Sequence, residues 1–265
     1  MGMRETLSTF AFVLRLSTYR DHDLVVTLLT QKRGKLTAIA RGAKRSRRRF
    51  QGTLQPTHKL HVLCRSRDHT SGFWELCETE LERYDAASLT HYAWLWAALQ
   101  ILPCVESLAS PEQSDEHLFA LLDDFLAQLA QPITQPAHLT ALMRLQLLIH
   151  AGYTPRVDRC GWCMAVPRAE QPAYFDAQRA SLKCRRCMGV RQFNDLIYVP
   201  ALVRSQVIHY ARHRDLKGSH TWSSSLAQHV DALVDAVAQY HCPALVQHSH
   251  ALPLALQSDE GQARV

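Results

Sequence analysis

Four cysteines fall in two tight pairs, Cys160-Gly161-Trp162-Cys163 and Cys184-Arg185-Arg186-Cys187, with 20 residues between them. Two CxxC turns can bring four sulfurs to the corners of a tetrahedron. Tetrahedral thiolate suits Zn²⁺, and a shell of four sulfurs leaves no position open for a reactive water. The expected role is therefore structural. A redox pair needs a single CxxC at a helix start, whereas here there are two, in a loop-rich stretch. An iron–sulfur cluster is compatible with four thiolates, but nothing in the spacing favours it. Cys64, Cys77, Cys104 and Cys242 stand alone and read as small buried hydrophobes. Arg185 and Arg186, set between two ligands, either offset thiolate charge or touch nucleic acid.

A second chemistry lies in the charge pattern. Between residues 32 and 49 stand nine cations with no acid among them: Lys32, Arg33, Lys35, Arg41, Lys44, Arg45, Arg47, Arg48 and Arg49. The whole 265-residue chain carries +6, from 30 Lys and Arg against 24 acids. Removing those nine cations leaves 21 against 24, so the remainder is slightly acidic. One basic segment on a near-neutral body points to a polyanionic partner. Phosphates bind such a surface by releasing condensed counterions, and about six contacts to a single strand give a log–log salt slope near −4. Tyr19, Phe50, Phe73 and Trp74 are candidate stacking platforms; Phe73 and Trp74 are adjacent, so at most one of them faces inward on a regular strand.

Catalytic motifs are missing from the sequence. Gly34-Lys35-Leu36-Thr37 and Lys217-Gly218-Ser219 lack the flanking glycines of a Walker loop. HExxH, GxSxG and the zinc-deaminase signature do not occur. Fifteen histidines scatter without ligand spacing, except His209 and His213, an i, i+4 pair with no obvious third ligand. No apolar stretch approaches the roughly 18 residues of a membrane span. The run Phe10–Leu14 is too short for an export signal, so a reducing cytoplasm is the expected setting. A non-enzymatic binding protein is expected.

The elements that must position these residues change type along the chain. Thr9–Ser17, Leu24–Thr30, Lys35–Ala40, His58–Arg65 and Phe73–Cys77 read as five short strands without intervening helices, a small antiparallel barrel. Gln31-Lys32-Arg33-Gly34 is a turn with glycine where positive φ is cheap. After Tyr84 the period becomes helical. Ala86–Leu102 is a helix that Pro103 bends or ends. Ser110-Pro111-Glu112-Gln113 has the form of a capping box opening a second helix, which carries Leu118, Leu121, Leu122, Phe125, Leu126 and Leu129. Ala137–Ala151 is a third, closed by Gly152. Residues 155–192 lose the period, and Pro200–Arg214 and Ser224–Tyr240 regain it. The tail from Ser249 has no period.

The run Gly34-Lys35-Leu36-Thr37-Ala38-Ile39-Ala40-Arg41-Gly42-Ala43-Lys44-Arg45 and then Gly52-Thr53-Leu54-Gln55-Pro56 resembles the bacterial recombination mediator family RecO. So does Leu147-Leu148-Ile149-His150-Ala151-Gly152-Tyr153-Thr154-Pro155, followed by Cys160, Cys163, Tyr174, Phe175, Cys184 and Cys187. The order of these features matches the family over about residues 5–245. One departure stands out. Family members usually approach the second cysteine pair through glycines, and here the approach is Gln178-Arg179-Ala180-Ser181-Leu182-Lys183.

The resemblance implies an α+β chain: an OB-fold barrel (residues 1–82), then an α-helical domain (83–154 and 193–248) holding a four-cysteine zinc-finger insertion (155–192), with a flexible tail (249–265). It implies binding of single- and double-stranded DNA and annealing of complementary strands. It also implies partnership with RecR and with the C-terminal tail of single-stranded-DNA-binding protein, so that RecA is loaded during recombinational repair in the bacterial cytoplasm, at the nucleoid. Zn²⁺ would sit on Cys160, Cys163, Cys184 and Cys187, and the nine cations would contact DNA. An RNA-binding or ribosome-associated barrel with a zinc module is the alternative, since a phosphate contact is blind to the 2′-OH.

Overall fold

The computed structural model describes residues 5–46, 48–50, 52–66, 72–83, 92–131, 135–168, 173–188 and 196–246. Arg47, Leu89, Pro132 and the tail from Ser249 lie outside the described residues. The chain divides into two compact units, Met1–Ala130 and Gln131–Val265.

Five strands build the first unit: β1 (Thr6–Tyr19), β2 (Asp23–Thr30), β3 (Gly34–Ala40), β4 (Lys59–Ser66) and β5 (Trp74–Arg83). They close in the order β1-β2-β3-β5-β4, with β1 pairing antiparallel to both β2 and β4. This is the five-stranded barrel the alternation predicts, corrected in one respect: β3 and β5 close it as a parallel pair, not an antiparallel one. β1 can serve two neighbours because it is long and bends at a register shift between Val13 and Arg15. The shift breaks the period of two, so the positions facing the core pass from Ala11 and Val13 to Leu16. Ala11, Val13, Val26, Leu28, Leu36, Ala38, Leu60, Val62, Cys64 and Leu76 fill the interior. Each large aliphatic among them contributes roughly 2 kcal/mol by leaving water.

Two helices follow in the same unit, α1 (Tyr92–Leu108) and α2 (Glu116–Leu129). Pro103 lies inside α1, which runs on to Leu108 rather than ending there. The expected capping box is corrected as well. Asp115 is the N-cap of α2, its carboxylate accepting the Leu118 N–H at 2.9 Å. The residues from Ser110 instead lie along the barrel: the Lys35 N–H donates to Ser110 O at 3.1 Å, and the Glu112 N–H donates to Lys35 O at 3.1 Å. Gly34 therefore has two reasons to be glycine. Its φ is +58°, and a Cβ there would lie 1.9 Å from Gln113 O. Phe12 meets Phe119 of α2 with ring centroids 5.0 Å apart.

The second unit is built on α3 (Pro136–His150), with Pro136 at its start and Gly152 beyond its end at φ +90°. This helix is buried nearly all round. It packs with α4 (Ala201–His213) and α5 (Ser224–His241), and the short α6 (Pro243–Val246) packs on α5. Arg144, buried in the middle of α3, pairs with Asp231 and Asp235 of α5. Gln146 donates to Tyr210 O and Asp215 O, each at 3.1 Å. A small sheet in the order β6-β8-β7-β9 accompanies the helices: β6 (Arg156–Cys160), β7 (Ala173–Asp176), β8 (Ser181–Lys183) and β9 (Leu196–Val199). Its strands are not legible in the sequence, being three to five residues long.

Candidate functional site

The four paired cysteines come together. The Sγ atoms of Cys160, Cys163, Cys184 and Cys187 all lie within 4.8 Å of one another, a group that could hold a metal ion. Each pair closes a tight turn: the Met164 N–H donates to Cys160 O at 3.0 Å, and the Cys187 N–H to Cys184 O at 2.9 Å. The turns interlock, since the Cys184 N–H points at Cys160 Sγ, 3.4 Å away. Gly161 permits this approach; a Cβ there would lie 2.2 Å from Ser181 Oγ.

Burial alone would push the Cys160 thiol up. The backbone N–H groups of Cys163, Cys184 and Trp162 outweigh that effect and bring it down to about 6. Desolvation and hydrogen bonding with the neighbouring sulfurs push Cys187 up to about 12. N–H groups aimed at sulfur and mutual repulsion between thiolates are the chemistry of a site built for a cation. The donor set, four sulfurs and no oxygen or nitrogen, fits a thiophilic metal in a closed shell.

In the approach to the second cysteine pair, Ala180 takes the left-handed conformation, at φ +47°. The turn still forms: the Ala180 N–H donates to Ala177 O at 3.2 Å, and the Arg156 N–H to Ala180 O at 2.8 Å. The segment is tied to the helices of its unit by the buried Arg204, whose guanidinium donates to Val157 O at 3.3 Å and Arg168 O at 3.2 Å. Trp162 has Arg179 and Lys183 near its ring, each 4.7 Å from the centroid. Arg185 and Arg186 are exposed. Of the solitary cysteines, Cys64, Cys104 and Cys242 are buried and Cys77 half-buried. Burial, with a smaller contribution from Cys77, pushes Cys64 up to about 12, so it is a protonated core residue.

The eight cations of the run that are described do not form one group. Lys32, Arg33 and Lys35 sit where β2 turns into β3, and all three have partners there. Lys32 Nζ donates to Ser8 O at 2.9 Å and Lys35 Nζ to Glu106 O at 2.7 Å. Arg33 pairs with Glu5 and with Glu112, the latter at 3.3 Å. Arg41, Lys44, Arg45, Arg48 and Arg49 lie beyond the other end of β3, roughly 20 Å away for seven residues of strand. All five are exposed. A 3-10 turn at Ala43–Arg45 carries two of them, pinned by the Lys44 N–H on His22 O at 3.1 Å. Arg49 caps Arg41 O at 2.8 Å, and Arg41 makes a long pair with Glu75 at 3.7 Å.

This end also receives a cation that the run did not include. Arg20 follows β1 in the left-handed conformation, φ +56°, with its guanidinium 5.2 Å from the Tyr19 ring centroid. Tyr19, Arg20, Asp23, Ile39 and Arg41 line a cleft of about 150 Å³. Arg20 stands alone in sequence between Tyr19 and Asp21, so a search for charge runs passes it by; the signal was the turn that folds it back to β3.

Two of the four candidate platforms are corrected. Phe50 and Trp74 are 2% and 3% exposed, packed into the barrel core. Trp74 faces in because β5 alternates, and its Nε1 donates to Glu112 at 3.3 Å. Phe73 and Tyr19 are exposed, at 41% and 39%. His209 and His213 face each other with centroids 4.3 Å apart, but among the described residues the group of three or more metal-ligating side chains is the cysteine one. No described helix is long and apolar enough to cross a membrane.

Comparison with known proteins agrees with this architecture. The model of the N-terminal part of recombination protein O matches residues 3–78, and that of its C-terminal part residues 91–243. The DNA repair protein RecO of Myxococcus xanthus is 35% identical over 196 residues, covering 74% of this chain and 77% of that protein. Its counterpart in Syntrophus aciditrophicus is 32% identical over 188 residues, 71% of either chain. That of Anaeromyxobacter dehalogenans is 37% identical over 175 residues, 66% of this chain and 68% of the relative.

Proposed function

The chain belongs to the RecO family of recombination proteins, and on that premise we propose that it is a non-enzymatic DNA-binding mediator of recombinational repair in the bacterial cytoplasm. The observation that carries the reading is the pole of exposed cations at one end of the closed barrel: Arg20, Arg41, Lys44, Arg45, Arg48 and Arg49. These side chains neutralise phosphates of single- and double-stranded DNA and release their counterions. Two strands screened on one basic surface repel each other less, which lets complementary sequences pair without a nucleotide. Lys32, Arg33 and Lys35 hold the hairpin and the edge of β3 in place; Arg47 belongs to the same basic loop in sequence.

Zn²⁺ on Cys160, Cys163, Cys184 and Cys187 braces the small sheet and supplies no reactive water. The family reading adds RecR and the C-terminal tail of single-stranded-DNA-binding protein as partners, through which RecA is loaded onto coated DNA.

A strand-annealing assay with purified protein and no nucleotide tests the proposal. Complementary oligonucleotides should anneal faster with protein at low salt, and the acceleration should vanish when Arg48 and Arg49 are changed to Glu. Unchanged annealing with the reversed charges overturns it. Competition between matched DNA and RNA oligomers separates the RNA-binding alternative.

A further inference from the structure

We infer that the cleft between Tyr19, Arg20, Asp23, Ile39 and Arg41 takes one unstacked base of a single strand, so that part of the protein's affinity is for unpaired DNA rather than for phosphate alone. This rests on the DNA-binding reading and adds a subsite to it.

Size comes first. A cavity of about 150 Å³ is the volume that holds a single six-membered aromatic ring. Chemistry comes next. Tyr19 is 39% exposed and carries the Arg20 guanidinium over its ring at 5.2 Å. An aromatic ring and a planar cation together offer a base a stacking surface that is tolerant of sequence. Asp23 accepts the Gly42 N–H on Oδ1 at 2.8 Å, which fixes the carboxylate. Its second oxygen retains capacity to accept an N–H from a base edge.

Arg41, which also lines the cleft, is exposed and makes a long 3.7 Å pair to Glu75 that a phosphate oxygen can replace. Arg20 reaches its position through a left-handed backbone, φ +56°, a conformation disfavoured for a non-glycine residue. A base inside a duplex is paired and stacked on both faces, so it cannot enter the cleft. A base in a single strand can.

Three probes of equal length separate base from phosphate: oligo-dT, an abasic oligomer with the same phosphates, and a duplex. The wild-type protein should bind oligo-dT on the order of tenfold more tightly than the abasic strand, as one stacked base is worth. Tyr19→Ala should bring that ratio to within about twofold and leave duplex affinity unchanged, while Tyr19→Phe should restore it. Equal affinity of the wild type for oligo-dT and abasic strands overturns the subsite alone. So does a Tyr19→Ala variant that keeps the ratio, or one that loses duplex binding in the same proportion. Failure to bind any of the three probes overturns the DNA-binding reading itself.

Discussion

The barrel and the cysteine-bearing sheet solve the same problem by different means. The barrel closes on itself, leaves no open edge, and fills its interior with aliphatic side chains from all five strands. On the proposed reading its DNA-contacting cations are exposed at one end, outside the aliphatic interior. The small sheet has strands of three to five residues, with Val157, Phe175, Leu182 and Val199 as its larger buried apolar residues. If its four sulfurs hold the proposed metal, they are at once its chemistry and its staple. The proposed roles therefore predict that function can be removed from the first region without unfolding, whereas in the second, site and fold are one object.

Metal removal should expose that difference most strongly. Structural Zn²⁺ in small domains carries an apparent binding free energy on the order of 10 kcal/mol, which appears as folding free energy. A strong chelator, or Cys184→Ser with Cys187→Ser, should collapse amide-exchange protection at Phe175 and Leu182 while Leu28 and Val62 in the barrel stay protected. Equal loss in both regions, or in neither, breaks the comparison.

Gly34→Ala probes the barrel by backbone rather than by metal. A methyl group 1.9 Å from Gln113 O, at φ +58°, should destabilise the barrel by at least about 2 kcal/mol in chemical denaturation, with the metal content unchanged. The smallest effect is expected at Ala180. Its left-handed φ is strained, so Ala180→Gly should be neutral to stabilising by about 1 kcal/mol, relief of strain being partly offset by extra freedom in the unfolded chain. A clear destabilisation would mean that the methyl group has a packing role.

The strand alternation, the turn at Gly34 and the helix faces were legible in the sequence because they repeat with a local period. The apolar positions expected on α2, from Leu118 to Leu129, are buried as that period requires. Cys160, Cys163, Cys184 and Cys187 were legible because a metal shell fixes spacing tightly. What escaped was set by tertiary partners. Ser110 has the type of a cap, yet its carbonyl is used by Lys35, and Asp115 takes the capping role five residues later. The cations looked like one run on paper; β3 carries its two halves to opposite ends, and the fold recruits Arg20 to one of them.

The salt dependence of single-strand binding tests the basic pole most directly. Six contacts, from Arg20, Arg41, Lys44, Arg45, Arg48 and Arg49, predict that log affinity falls with log salt at a slope of about −4. Changing Arg48 and Arg49 to Glu should reduce the slope by at least about 1.4, two contacts' worth. A slope near zero, or one untouched by those two reversals, would contradict the assignment of this end of the barrel to the DNA backbone.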